Sequence, residues 1–261
     1  MTKLRDVELR FQIRDSAIDP RPEANILSWK SRAIEALFLR ELRALKIETP
    51  GFVKINIYCE FKSTPYAGDF FDRVTDVQIG VNCSEISALP VHAVNESFLT
   101  FLISGVCEVL EYFDVDTAGV VAIGEKLRRE NFYLSVQLGS RLAHSQETRL
   151  SARLYVRSSQ NLETCVVVVG IFNGRNIVGE MPIFTTYPSP RYAIDNFISL
   201  EWSSSQRLIA IFRGSINDQK EIFGRSKFDC RNFSGVTREY SMPDEKFTFS
   251  IDVSSVLKAL P

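Results

Sequence analysis

Val53-Lys54-Ile55-Asn56-Ile57-Tyr58-Cys59-Glu60-Phe61-Lys62 sets Val53, Ile55, Ile57, Cys59 and Phe61 on one side of an extended chain and Lys54, Asn56, Tyr58, Glu60 and Lys62 on the other. Successive side chains of a strand point to opposite faces, so this alternation predicts a β-strand with one dry and one wet face. A strand of that kind belongs to a sheet covered on one side, which is the habit of antiparallel and α+β folds.

Working outward toward the N-terminus, residues 4–14 repeat the pattern, with Val7, Leu9, Phe11 and Ile13 opposed to Glu8, Arg10, Gln12 and Arg14. Asp19-Pro20-Arg21-Pro22 breaks the chain, and Ile34, Leu37, Phe38 and Leu45 then recur at helical spacing, predicting a helix over about 23–47 that ends before Thr49-Pro50-Gly51. On the C-terminal side, Val77, Ile79 and Val81 alternate through 74–82, and the loop at 63–72 makes this stretch a candidate antiparallel partner of the 53–62 strand. A strongly apolar helix is expected over 95–113 and a shorter one over 118–129.

Beyond residue 131 the pattern is mainly β. Phe132, Leu134, Val136 and Leu138 alternate with polar neighbours, as do Leu150, Ala152, Leu154 and Val156, and these read as neighbouring antiparallel strands. Asn173-Gly174 lies between apolar runs at 165–172 and 177–185, a strong hairpin signal. Further strands are expected at 197–202, 207–214 and 246–252, with a weaker piece near 221–230 and a short helix at 253–259. Glu130-Asn131-Phe132 leading to Arg149-Leu150-Ser151-Ala152 resembles Asp195-Asn196-Phe197 leading to Arg207-Leu208-Ile209-Ala210, but the offsets, 65 and 58, disagree, which argues against duplication. The expectation is an α+β protein: predominantly antiparallel sheet with two main helices in the N-terminal half. Residues 1–261 read as a single domain, with a possible subdivision into a mixed part at 1–130 and a mainly β part at 131–261. The Pro-rich link Tyr187-Pro188-Ser189-Pro190 is another candidate boundary.

Five widely spaced cysteines, Cys59, Cys83, Cys107, Cys165 and Cys230, are an odd number in mostly apolar surroundings, the pattern of buried free thiols in a reducing compartment. With charges interspersed through the first fifteen residues instead of a signal-like apolar core, this predicts a cytoplasmic protein. The longest apolar runs, 98–106 and 165–172, fall short of the roughly 20 residues that span a bilayer, so no membrane association is expected.

Catalytic signatures are absent. His92 and His144 are the only histidines, no Cys-x-x-Cys pair and no Gly-x-Ser-x-Gly elbow occurs, and neither histidine lies in a nucleophile motif. Gly119 to Gly124 has the spacing of a phosphate-binding loop, but Glu125 stands where the lysine belongs. The sequence therefore assigns no catalytic residue, no metal ligand and no cofactor, and leans away from an enzyme.

The formal net charge of −1 conceals a strong asymmetry. Residues 1–62 carry 12 basic and 9 acidic side chains and residues 126–261 carry 18 and 13, whereas 63–125 holds 10 carboxylates and one cation, Arg73. Within that segment Asp69, Asp72 and Asp76 are spaced three and four apart, and Glu108, Glu111, Asp114 and Asp116 crowd the end of the apolar helix. Hard cations take carboxylates, but Asp76 falls in a strand, so the first trio does not realise helical spacing. Acidic groups at a helix C-terminus oppose its dipole, so something other than helix stability accounts for Glu111 and Asp114. Residues Glu108, Glu111, Asp114, Asp116, Asp69 and Asp72 are the candidate partner-binding set. The expected function is a non-enzymatic protein-binding module, in its most specific form an immunity-type neutraliser offering an acidic surface to a basic toxin or other basic protein. One alternative is an enzyme whose carboxylate or Cys/His site is assembled from distant positions. Another is a nucleic-acid binder using Arg149, Arg153, Arg157 and Tyr155 on one strand, with Tyr133, Gln137 and Arg141 from its neighbour, though a polar sheet face accepts Arg and Tyr without that role and a pI near 6.2 gives no general basic footprint.

Overall fold

The computed structural model describes residues 2–11, 21–60, 64–158, 164–186, 190–214, 228, 230, 233–242 and 244–258. They form an α+β fold divided into two compact units, Met1–Tyr133 and Leu134–Pro261.

The first unit contains β1 (Thr2–Lys3), β2 (Asp6–Phe11), α1 (Arg21–Lys30), α2 (Arg32–Leu45), β3 (Glu48–Thr49), β4 (Lys54–Glu60), β5 (Phe70–Phe71), β6 (Val74–Gly80), α3 (Cys83–Ser87), α4 (Val91–Tyr112) and α5 (Ala118–Arg129). Its sheet runs β2-β4-β6-β5, with the small pair β1-β3 apart from it. The expected antiparallel pairing of the 53–62 and 74–82 stretches is corrected: β4 and β6 are parallel, as are β2 and β4, and only β5 runs against β6. The alternation carries no information on direction, because a half-buried strand looks the same either way. Direction is decided by the connections, a helical crossover between β2 and β4 and a return segment between β4 and β6.

The helix expected over 23–47 divides into α1 and α2 at Ser31. Ala33, Ile34, Leu37 and Phe38 of α2 are buried, as are Phe98, Leu102, Val106 and Val109 of α4 and Val120, Ile123 and Leu127 of α5. α2 and α4 cover the dry face of the sheet, made by Val7, Leu9, Ile55, Ile57 and Val77, and α5 packs against these two helices. Gly105 permits a close approach of α4 to β4, since a Cβ there would lie 2.7 Å from the Ile57 side chain. The expected 95–113 helix starts earlier, at Val91, and over its full length α4 is long and apolar enough to cross a membrane by length and composition; in this structure half of that stretch is buried in the protein.

The second unit contains β7 (Ser135–His144), β8 (Leu150–Ser158), β9 (Cys165–Asn173), β10 (Asn176–Thr186), α6 (Pro190–Asn196), β11 (Phe197–Ser204), β12 (Arg207–Arg213), β13 (Val236–Ser241), β14 (Lys246–Asp252) and α7 (Ser254–Leu257). Two four-stranded antiparallel sheets result, ordered β10-β9-β8-β7 and β11-β12-β14-β13. Their shared core is aromatic: Phe184 of β10 stacks on Phe249 at 4.5 Å and meets Phe212 edge-on at 5.1 Å. β7 begins three residues later than the alternation suggests, because Asn131 and Phe132 take positive φ. The β9-β10 hairpin turns at Gly174-Arg175, one residue beyond the expected Asn-Gly, with Gly174 at φ +61°. The two look-alike stretches are the hairpins β7-β8 and β11-β12, but the strand orders diverge after them. The possible strand near 221–230, the end of the 4–14 strand and most of the link at 187–190 lie outside the described residues.

Candidate functional site

The return segment between β4 and β6 makes the most distinctive surface of the first unit. Tyr66 anchors it: its backbone N–H donates to Glu108 Oε1 at 3.0 Å, its hydroxyl lies 2.6 Å from Thr75 Oγ1, and its ring meets Tyr112 edge-on at 5.2 Å. Burial pushes the Tyr66 hydroxyl pKa up, against the opposing Thr75 hydrogen bond. Thr75 Oγ1 donates to the Asp69 carbonyl at 2.7 Å. Gly68, at φ +84°, lies so close to the Tyr112 ring that a Cβ would come within 2.3 Å of it. The segment is thereby drawn toward the end of α4 before Phe70 and Phe71 pair briefly with Thr75 and Val74. Asp72 and Arg73, both at positive φ, close a two-residue turn of the I′ kind that returns the chain into β6.

Between this segment and β6 lies a groove of ≈ 630 Å³, lined by Asp69, Asp72, Asp76, Asn56 and Gln78 with Phe70 and Phe71. Asp69, Asp72 and Asp76 are exposed, and Phe71 is 88% exposed. Asn56 is only 6% exposed; its Nδ2 donates to Asp76 Oδ1 at 2.8 Å, while its buried Oδ1 has no hydrogen-bond partner among the described residues.

Of the six residues selected from sequence, Asp69 and Asp72 line the groove. Glu111 and Asp114 are exposed around the end of α4, Glu111 within 3.4 Å of the Thr117 hydroxyl that donates to it and Asp114 at φ +54°. Glu108 is half-buried and its carboxylate pins the backbone at Tyr66, while Asp116 accepts from the Ala118 N–H at 2.9 Å and so helps start α5. Asp76, Asn56 and the exposed pair Phe70 and Phe71 are additions that the sequence-based set lacked. Alternation placed Asn56 and Asp76 on wet faces, but nothing in the sequence set them side by side.

Among the described residues, several carboxylates elsewhere in the unit are paired with cations, while Glu48, Glu85 and Glu125 are not. Glu8 accepts from Lys54 at 2.7 Å, Arg10 at 3.0 Å and Arg32 at 3.1 Å. Glu41 pairs with Lys126 and Arg40, and Arg128 with Glu96. Among the described residues, Asp69, Asp72, Asp76, Glu108, Glu111, Asp114 and Asp116 make no ion pair.

Other chemistry is weaker. No group of three His, Cys, Asp or Glu among the described residues is arranged to hold a metal ion. The cysteines form no disulfide among the described residues, and burial pushes the Cys59 thiol pKa far up and that of Cys165 to about 12, the reverse of what a reactive thiolate needs. On the β8 face, Arg153 donates to Gln137 at 2.7 Å and Arg157 is paired with Glu180, also at 2.7 Å, so these guanidiniums are engaged within the sheet. His144 borders a hollow of ≈ 320 Å³ with Glu147, Trp202 and Ser203, but Glu147 accepts from the Ser205 N–H and the Trp202 indole donates to the Ala143 carbonyl, leaving no nucleophile bonded to a base there among the described residues. Comparison with protein-family models, with curated proteins and with solved structures found no match.

Proposed function

We propose that this chain is a non-enzymatic, cytoplasmic protein-binding module, in its most specific form an immunity-type neutraliser, whose first unit offers an acidic surface to a basic protein. The observation that carries the reading is a concentration of unpaired charge: Glu8, Glu35, Glu41 and Glu96 are matched to Lys and Arg, while Asp69, Asp72 and Asp76, together in one groove, and Glu111 and Asp114 beside α4, meet no cation among the described residues. Unmatched like charge on a folded surface steers an oppositely charged partner and fixes its orientation, with association that weakens steeply as salt rises. The exposed Phe71 supplies apolar contact within the acidic field.

The test is retention of proteins from native extract by the wild type and by an Asp69→Lys, Asp72→Lys, Glu111→Lys, Asp114→Lys variant, followed by association rates for each retained protein at low and high salt. A basic protein that associates faster with the wild type, with the rate difference collapsing at high salt, supports the reading. Equal rates and equal salt slopes for the two forms remove it.

A further inference from the structure

We infer that the groove accepts an added β-strand: an extended basic segment of the partner protein pairs with the open edge of β6 along residues 76–80. This inference rests on the acidic-surface reading and assigns it a binding mode.

The edge follows from the pairing. Arg73 C=O accepts from Val53 N–H and Val81 N–H donates to Glu60 C=O, so the odd-numbered residues of β6 direct their backbone groups toward β4. Asp76, Gln78 and Gly80 therefore direct theirs the other way, toward the side where β5 reaches only Val74 and Thr75. Among the described residues no strand continues β5 along 76–80, because the Tyr66 contacts with Glu108 and Tyr112 hold the return segment toward α4. A row of unpaired backbone donors and acceptors beside a groove is the geometry that strand addition uses.

Charge selects the occupant. A strand laid against β6 alternates its side chains between the two faces of the sheet. On the wet face it meets Asp76 and Gln78; on the dry face it meets Val77 and half-buried Ile79. The matching segment alternates basic with β-branched apolar residues. At Asp76 the choice narrows to Arg, whose forked guanidinium can donate to the Asp76 carboxylate and to the buried, unpartnered Asn56 Oδ1 together, whereas a Lys ammonium is a point donor.

The experiment titrates the full chain with the blocked peptide Arg-Val-Arg-Val-Arg-Val-Arg-Val at low salt, with its all-Lys counterpart, and with an analogue N-methylated at alternate residues in both possible phases. Strand addition predicts slowed amide exchange at Asp76, Gln78 and Gly80, and affinity reduced by about tenfold or more by N-methylation in one phase only. It also predicts a preference for Arg over Lys that Asn56→Val removes, provided circular dichroism shows that variant folded; the N-methyl comparison uses the wild type and does not depend on it. Equal binding by all analogues, with loss on reversing Asp69, Asp72, Glu111 and Asp114 to Lys, overturns strand addition and keeps the acidic surface. Binding indifferent to that reversal overturns both, and no measurable binding of the Arg peptide overturns strand addition.

Discussion

Glu8 and Asp76 occupy one row on the same face of the same sheet, since Glu8 registers with Asn56 on β4 and Asn56 with Asp76 on β6. Their surroundings differ completely. Burial pushes the Glu8 pKa up, but hydrogen bonds from Lys54, Arg10 and Arg32 overcome it and bring it from the usual 4.5 down to about 2. Asp76, two strands away, has only the Asn56 amide as a described side-chain partner. The cations beside Glu8 serve the fold, whereas the lack of them beside Asp76 leaves a carboxylate available to something outside. Neither acidity nor a missing cation marks a binding surface by itself, since Glu48, Glu85 and Glu125 also make no ion pair among the described residues; the proposed function rests on the grouping of Asp69, Asp72 and Asp76 in one groove.

The largest effect should come from breaking the paired side. Arg32 bridges Glu8 to the buried Glu35, reaching Glu35 Oε2 at 2.9 Å. Arg32→Met strands that buried carboxylate and should destabilise the protein by about 4 kcal/mol near pH 8, with a smaller loss at pH 5, measured by urea unfolding. Burial drives the Glu35 pKa up to about 7 in spite of Arg32 and Ser31. Between its unfolded value of 4.5 and about 7 the folded state holds the extra proton, so stability falls as pH rises through that window, by about 3 kcal/mol, and Glu35→Gln should abolish this slope. Glu8 acts in the opposite sense: its contribution is complete above pH 4.5 and is lost as pH falls toward 2. Together these two groups place their joint optimum near pH 4.5.

Smaller substitutions sharpen the comparison on the unpaired side. Glu8→Gln should cost about 1 to 2 kcal/mol, while Asp76→Asn should stay within about 0.5 kcal/mol in the same unfolding experiment. A loss as large at Asp76 as at Glu8 would mean that Asp76 also serves the fold. Least of all, Arg73→Gly relieves a positive φ in the β5-β6 turn and should stabilise by about 0.5 kcal/mol. It also deletes the lone cation of the acidic segment and should speed association of a basic partner.

How much of this was legible in advance varies by element. The strand at Lys54–Glu60, the helix over 118–129 and the hairpin around Gly174 were readable because alternation, helical periodicity and a turn glycine are local signals, although Asn56 and Glu60 of the expected wet face are buried. The split at Ser31 was not, since Ile34, Leu37 and Phe38 keep the same helical period on its far side. Nor was the late start of β7, because positive φ at Asn131 and Phe132 carries no compositional mark.

The same line divides the site. Sequence alone determined that the chain is α+β, that its negative charge is concentrated in 63–125, and that Asp69 and Asp72 stand where side chains are polar and turns are expected. These are properties of composition and short-range order, which the covalent chain displays directly. Only the tertiary structure decided that β4 and β6 run parallel, that Glu108 is spent on the Tyr66 backbone, and that Asp76 and Asn56 join Asp69 and Asp72 in one groove, beside a stretch of β6 that has no further strand partner among the described residues. Those facts depend on which distant residues become neighbours. Twenty positions separate Asn56 from Asp76, and it is the parallel register of their strands that places them side by side.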